Sequence, residues 1–350
     1  MKVLLTGACG FVGYTIATGL RQRSSGIDVI GIDNLIRPGS ERNRSALAAH
    51  GIAFHHGDIR NASDIDSLPG CDFVIDAAAN PSVLAGVDGL TNSRQVLEHN
   101  LSGTINLLEY CKRHRAGFIL LSTSRVYSIS ALREIPLEVA HGAFRPSAFT
   151  IPGLTTNGIT ESFSTEPPLS LYGVSKLASE YLALEYSSAF DFPVWINRCG
   201  VLAGAGQFGK ADQGIFSFWI HSYRARRPLK FLGFGGEGHQ VRDCLHPRDL
   251  VPVILAQLDT TSGSGLCNLG GGTANSMSLS QLSDWCVTRF GCHSIAESGE
   301  ERPFDLPWLA LDSSRATERW RWKPQTCLEQ ILEEIAQHAE RHPNWLDLTG

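Results

Sequence analysis

The sequence predicts an α/β fold: a doubly wound parallel sheet with a smaller mixed C-terminal lobe. Three observations carry that reading. Short apolar strands alternate with helical patterns as far as residue 200. Glycines recur as Gly7-x-x-Gly10-x-x-Gly13 in the turn after the first strand. Polar and small residues then fall at the carboxyl ends of successive strands, where open α/β sheets bind their ligands.

Val3 to Leu5 reads as a buried strand, and Val12, Ile16 and Leu20 mark the helix that follows the glycine turn. Such a turn lets backbone N–H groups and a helix N-terminus approach a dinucleotide pyrophosphate, so it predicts a Rossmann-type site. The second strand, Asp28 to Asp33, ends in an acid 20 residues beyond Gly13. A carboxylate there accepts hydrogen bonds from ribose hydroxyls and repels a 2′-phosphate, which favours NAD over NADP. Arg37 lies close by and works against that choice, because an arginine accommodates a phosphate; a turn or capping role is the alternative for Asp33.

Ile52 to His56 is the third strand, followed by Asp58, which either bonds the adenine amino group or caps the next helix. Cys71 to Asp76 is the fourth; Ala77, Ala78 and Ala79 after it leave room for a cofactor, and Asn80-Pro81 turns the chain away. A long helix spans 93–114, Phe118 to Leu121 is the fifth strand, and Pro193 to Asn197 is the sixth.

The fifth strand runs into Ser122-Thr123-Ser124-Arg125, and Tyr172 and Lys176 follow at helical i, i+4 spacing. A free tyrosine has a pKa of about 10 and is a poor base at neutral pH. A nearby ammonium and a cationic nicotinamide favour its phenolate, which then takes a proton from a sugar hydroxyl. A hydroxyl from Thr123 or a neighbour holds that substrate oxygen. The plain alternative is a packed tyrosine beside a solvated lysine.

Five prolines and three glycines between Ser128 and Pro168 predict an irregular insert, read as a lid or pocket wall. The division expected is residues 1–203 as the nucleotide-binding domain, with insert 128–170, and residues 204–350 as a substrate-binding lobe interleaved with it. In that lobe Phe216, Phe218, Trp219 and Tyr223 are either base-stacking or core. Thr326 and Glu329 read as a capping box for a helix carrying Leu328, Ile331, Leu332 and Ile335.

Net charge is −5 with no basic run, which argues against nucleic acid and acidic membrane as partners. Nine scattered cysteines without C-x-x-C, and no H-E-x-x-H, predict reduced thiols, no metal and a cytoplasmic setting. No apolar run reaches membrane-spanning length.

Taken together, Gly7 to Gly13, Asp33-Asn34-Leu35, Gly57 to Arg60, Asn100, Ser122-Thr123 with Val126-Tyr127, Tyr172 to Lys176, Val241-Arg242-Asp243 and Asn268 to Gly271 resemble the extended short-chain dehydrogenases/reductases of the nucleotide-sugar epimerase and dehydratase group. Gly206-Gln207-Phe208, Asp212-Gln213-Gly214, Trp219, Gly270 to Ser276 and the basic Arg125 are similar to the CDP-tyvelose (CDP-paratose) 2-epimerases within it. The resemblance implies an NAD site at Phe11, Val12, Asp33, Asn34, Asp58, Ile59, Ala78, Asn80 and Asn100. It also implies catalysis by Thr123, Tyr172 and Lys176, with Ser122 and Ser124 as flanking candidates. A nucleotide-diphosphate sugar is the implied substrate, with Arg242 and Arg302 at its diphosphate. Implied too is a homodimer built on the helix at 93–114 and the helix from Tyr172, with Leu177, Leu182 and Leu184 either on that face or against the sheet. The expected reaction is epimerisation at C2, with a 4-epimerase next, then a 4,6-dehydratase, and a catalytically silent NAD-binding regulator as the non-enzymatic alternative. Asp76, Ser128, Val201 and Leu171 depart from the group's usual histidine, glycine, asparagine and proline.

Overall fold

The computed structural model describes residues 1–87, 92–210 and 213–349. Asp212, quoted above, lies outside them. The central sheet has seven parallel strands: β1 (Lys2–Thr6), β2 (Asp28–Asp33), β3 (Ala53–His56), β4 (Phe73–Asp76), β5 (Gly117–Thr123), β6 (Val194–Cys199) and β7 (Ser264–Leu269). Their spatial order is β7-β6-β5-β4-β1-β2-β3. The order reverses between β1 and β4, where Thr6 and Asp76 are in register, so the ligand crevice opens above them.

The principal helices are α1 (Phe11–Arg23), α2 (Gly103–His114), α3 (Leu171–Phe190), α4 (Ile215–Arg224), α5 (Leu250–Leu258), α6 (Leu279–Phe290) and α7 (Leu328–Arg341). Ile16 and Leu20 of α1 and Val251 and Ile254 of α5 share one core with the sheet; Leu107 and Leu108 of α2 and Ala183 of α3 share the other. The sheet is therefore covered on both faces, and all residues of β5 are buried. This is the doubly wound fold that the sequence predicts.

A mixed four-stranded sheet forms the second lobe. Its strand Val241–Leu245 pairs parallel with Val201–Leu202 and Trp308–Leu309, and antiparallel with Ser276–Ser278. Helices α4, α6 and α7 pack around a core that includes Trp219, Leu282 and Ile331.

Several local expectations are corrected. The insert is ordered: Ile129–Arg133 is helical, and Leu137–Ala140 pairs with Ala143–Pro146, as does Leu154–Thr155 with Gly158–Ile159. Its apolar residues, among them Ile129, Leu132 and Phe163, join Val241, Leu306 and Trp308 in one cluster. None of its residues lines the main cavity; its Ile129, Arg133 and Pro168 line a neighbouring recess with Arg302, and its apolar residues buttress the second lobe. The capping box of α7 falls one residue later than expected: Cys327 and Gln330 cap it. Thr326 instead donates its N–H and its hydroxyl to Asp249. Tyr223 is core, its hydroxyl donating to Gly291 O at 3.3 Å. Leu182 and Leu184 pack on the sheet side and Leu177 against the insert; the exposed apolar residues of α3 are Val174, Tyr181 and Phe190.

Candidate active site

A cavity of about 660 Å³ opens over the carboxyl ends of the sheet and runs into the second lobe. The glycine turn forms one end. Gly7 has φ +63°, and a Cβ on it would sit 3.0 Å from Ala77 O and the Ala78 backbone. A Cβ on Gly13 would fall 2.1 Å from Gly7 O, so only glycine lets α1 pack this close. Gly10 begins α1 with no side-chain cap, leaving the first-turn N–H groups to meet an anion. Phe11 and Val12 line the cavity beside them. These features fit a dinucleotide pyrophosphate.

Asp33 lines the same end. Its carboxylate accepts from Cys9 N–H at 2.9 Å and Leu35 N–H at 2.8 Å, so it also fixes the glycine turn. Burial raises its pKa, against those backbone donors. Arg37 lines the cavity close to Asp33. Its guanidinium donates to Gln213 Oε1 at 2.9 Å and to Phe208 O, both in the second lobe. Asp58 lies just behind the lining residues Gly57 and Ile59. It accepts from Asn34 Nδ2 at 2.9 Å and from Arg60. Burial works to raise its pKa, yet the Arg60 and Asn34 hydrogen bonds override it and hold the carboxyl well below the usual range. Asn61, not Asp58, caps the helix Ala62–Asp66.

Asn80 and Asn100 form a bridge under the crevice. Asn80 N–H donates to Asn100 Oδ1 at 2.8 Å, and Asn100 Nδ2 donates to Asn80 O at 3.1 Å and Ser175 Oγ at 3.0 Å. A π-helical turn, Glu98–Ser102, interrupts the expected single helix at this asparagine. The Asn100 carbonyl accepts from Thr104 and from Ser179 of α3. The bulge thus ties the loop after β4 to the helix that carries Tyr172. Asp76, where the group has histidine, is buried and accepts from Thr6 at 2.7 Å and Thr104 at 3.1 Å.

Thr123 and Tyr172 both line the middle of the cavity, and the Thr123 hydroxyl accepts from Arg125 N–H at 3.2 Å. Burial raises the Tyr172 pKa, while the neighbouring Thr123 hydroxyl and the Arg125 charge act to lower it. The Arg125 charge thus adds cationic support beside that expected from Lys176. Lys176 is buried one turn below Tyr172, and burial lowers its pKa against the charges of Asp76 and Glu180. Ser122 is committed elsewhere, donating to Glu180, which pairs with Arg198 at 2.7 Å in a buried ion pair. Ser124 lines the cavity.

The far end is cationic. Arg125, Arg242 and Arg302 all line it, together with the carboxylate of Asp305. Arg242 reaches Asp305 at 3.0 Å, and Arg125 donates to Phe304 O at 3.1 Å. Burial, with the charges of Arg242 and Arg302 and against that of Asp305, pushes the Arg125 pKa down to about 9. Three guanidiniums around one carboxylate suit a ligand with more than one negative charge. Asp305 and Gln240, which donates to it at 3.1 Å, escaped the sequence reading. The only trace of Asp305 was its position three residues after Arg302.

The model of the NAD dependent epimerase/dehydratase family matches residues 3–270. The chain belongs to this family, and NAD is its cofactor. A CDP-paratose 2-epimerase of Salmonella typhi is 31% identical over 354 residues, covering 96% of this chain and 98% of that protein. A UDP-glucuronate 4-epimerase of Thermodesulfobacterium geofontis is 26% identical, covering 98% and 95%. Among solved structures, UDP-glucuronic acid 4-epimerase from Bacillus cereus in complex with UDP-glucuronic acid and NAD superposes with a TM-score of 0.77. It is 25% identical and covers 97% of this chain and 99% of that one. The expectation of an NAD-dependent nucleotide-sugar epimerase stands on this family match and these relatives. Among the described residues no helix is long and apolar enough to cross a membrane.

Proposed function

We propose that this enzyme inverts C2 of a nucleotide-diphosphate sugar, of the CDP-paratose/CDP-tyvelose type. The observation that carries the reading is a single cavity with a dinucleotide cradle at one end, three arginines at the other, and the Thr123–Tyr172 pair between them. NAD, when bound, supplies a hydride acceptor that returns the hydride after the sugar turns over. Thr123 holds the sugar oxygen. Tyr172, as phenolate, takes its proton and later gives it back. Lys176 and Arg125 stabilise that phenolate, Ser124 contacts the sugar, and Arg242 and Arg302 hold the diphosphate. Ser124-Arg125 places no paired acids after Thr123, which disfavours elimination. The 31% identity to a 2-epimerase, against 26% and 28% to two 4-epimerases, supports C2. We also assign the exposed Tyr181 and Val174 of α3, with Leu97 and Ile105, to a homodimer face.

The test is a screen of CDP-, UDP-, GDP- and dTDP-sugars with products read by NMR. Inversion at C2 of a CDP-sugar is the expected result. Inversion at C4 would make the enzyme a 4-epimerase, and loss of water would make it a dehydratase.

A further inference from the structure

We propose that Arg37 is a clasp that keeps the dinucleotide in place by tying the two lobes together across their shared cavity. Arg37 belongs to the loop after β2, and its guanidinium reaches Phe208 O and Gln213 Oε1, 171 and 176 residues further along the chain. Arg37, Phe208 and Gln213 all line the cavity that holds the glycine turn and Asp33.

Both sides of the clasp are firmly seated. On the sheet side, buried Ser40 donates its hydroxyl to Arg37 O at 2.7 Å, Leu35 N–H donates to Asp33, and Asn43 Nδ2 donates to Cys9 O at 2.9 Å within the glycine turn. On the lobe side, Trp345 Nε1 donates to Gln207 O at 2.8 Å, and its ring stacks on Phe208 at 5.6 Å and 15°. Gln207 Nε2 also donates to Leu202 O at 2.7 Å. The guanidinium is thus a crosslink between two held walls. Separating those walls to release the cofactor breaks charge-assisted hydrogen bonds, which are the stronger kind. The same bonds commit the guanidinium to protein acceptors, so Arg37 is a positioning residue for NAD and not a reader of a 2′-phosphate.

The proposal rests on NAD binding at the glycine turn, and its test separates the two. The full-length protein is loaded with isotope-labelled NAD and chased with unlabelled NAD, and label retention is followed over time. Arg37→Met is expected to release NAD roughly tenfold to a hundredfold faster than wild type. Gln213→Ala, which leaves Arg37 and its Phe208 bond in place, is expected to show a smaller acceleration of about threefold. It carries the test if Arg37→Met does not fold. The double variant should release NAD more slowly than the product of the two single effects, because both remove one shared bond. Release within about twofold of wild type in the folded variants would overturn the clasp while leaving NAD binding intact. So would an Arg37→Met variant that loses NADP affinity more than NAD affinity. A wild-type protein that retains no label would overturn both the clasp and the cofactor reading.

Discussion

At the sheet end of the cavity the groups that face a ligand are backbone N–H donors, spaced by glycines and backed by one carboxylate, Asp33. At the lobe end they are guanidiniums, one of which, Arg242, pairs with the carboxylate of Asp305. The first end is rigid and steric, because adding even a methyl group at Gly13 collides with Gly7 O. The second is electrostatic and carries excess positive charge. The difference suits a cofactor that stays through many turnovers and a dianionic substrate that comes and goes. Thr123 and Tyr172 stand at the junction, so variants can be chosen to damage either end or only the middle.

The largest effect is expected in the middle. Tyr172→Phe should lower kcat by roughly 10²- to 10⁴-fold, the usual worth of a general base, with NAD still bound. Near-normal turnover, measured by product NMR, would remove Tyr172 from the chemistry. Gly13→Ala attacks the sheet end. Its Cβ must displace the glycine turn, so we expect a loss of about 1–3 kcal/mol in urea unfolding together with weakened NAD binding in calorimetry. Unchanged NAD affinity would mean that the turn is not the cradle.

Arg242→Met attacks the lobe end. We expect KM for the sugar nucleotide to rise roughly tenfold to a hundredfold, with NAD affinity unchanged. A fall in NAD affinity with KM unaltered would reverse the assignment of the two ends. The smallest effect concerns the stability of the lobe itself. His221 and His338 meet at 3.2 Å. Burial pushes their pKa values down to about 4 and about 3. Their contribution to stability is fully present above the unfolded pKa of about 6.5 and is lost as pH falls through the folded values. Between pH 7.5 and pH 5 each should therefore remove about 1–2 kcal/mol of stability. His338→Asn should flatten that acid limb in urea titrations. An unchanged slope would mean that other groups dominate.

The same contrast explains what could be read from the sequence. The sheet end was legible because backbone contacts demand glycine at fixed spacing and an acid at the end of the next strand, as at Gly7, Gly10, Gly13 and Asp33. Thr123, Tyr172 and Lys176 were legible because a strand end and one helix face bring them together. Asp305 was not, because its link to Arg242 spans 63 residues and no local pattern encodes it. The acceptors of Arg37, Phe208 O and Gln213 Oε1, were not legible because they lie in another lobe. The insert looked irregular because its prolines and glycines oppose a helix. In the structure His141 (φ +52°) and Gly142 (φ +72°) form a two-residue hairpin turn instead. Cys327 in place of serine or threonine concealed the true cap of α7.

The central proposal is that the hydrogen on C2 would be passed as hydride to bound NAD and returned to the opposite face without exchanging with water. A substrate deuterated at C2 tests it most directly, with the product of the best nucleotide sugar read by NMR in ordinary water. The account predicts inversion at C2 with the deuterium retained. Deuterium washed out into solvent, or taken up at C2 when unlabelled substrate turns over in heavy water, would mean proton abstraction from carbon and would contradict it.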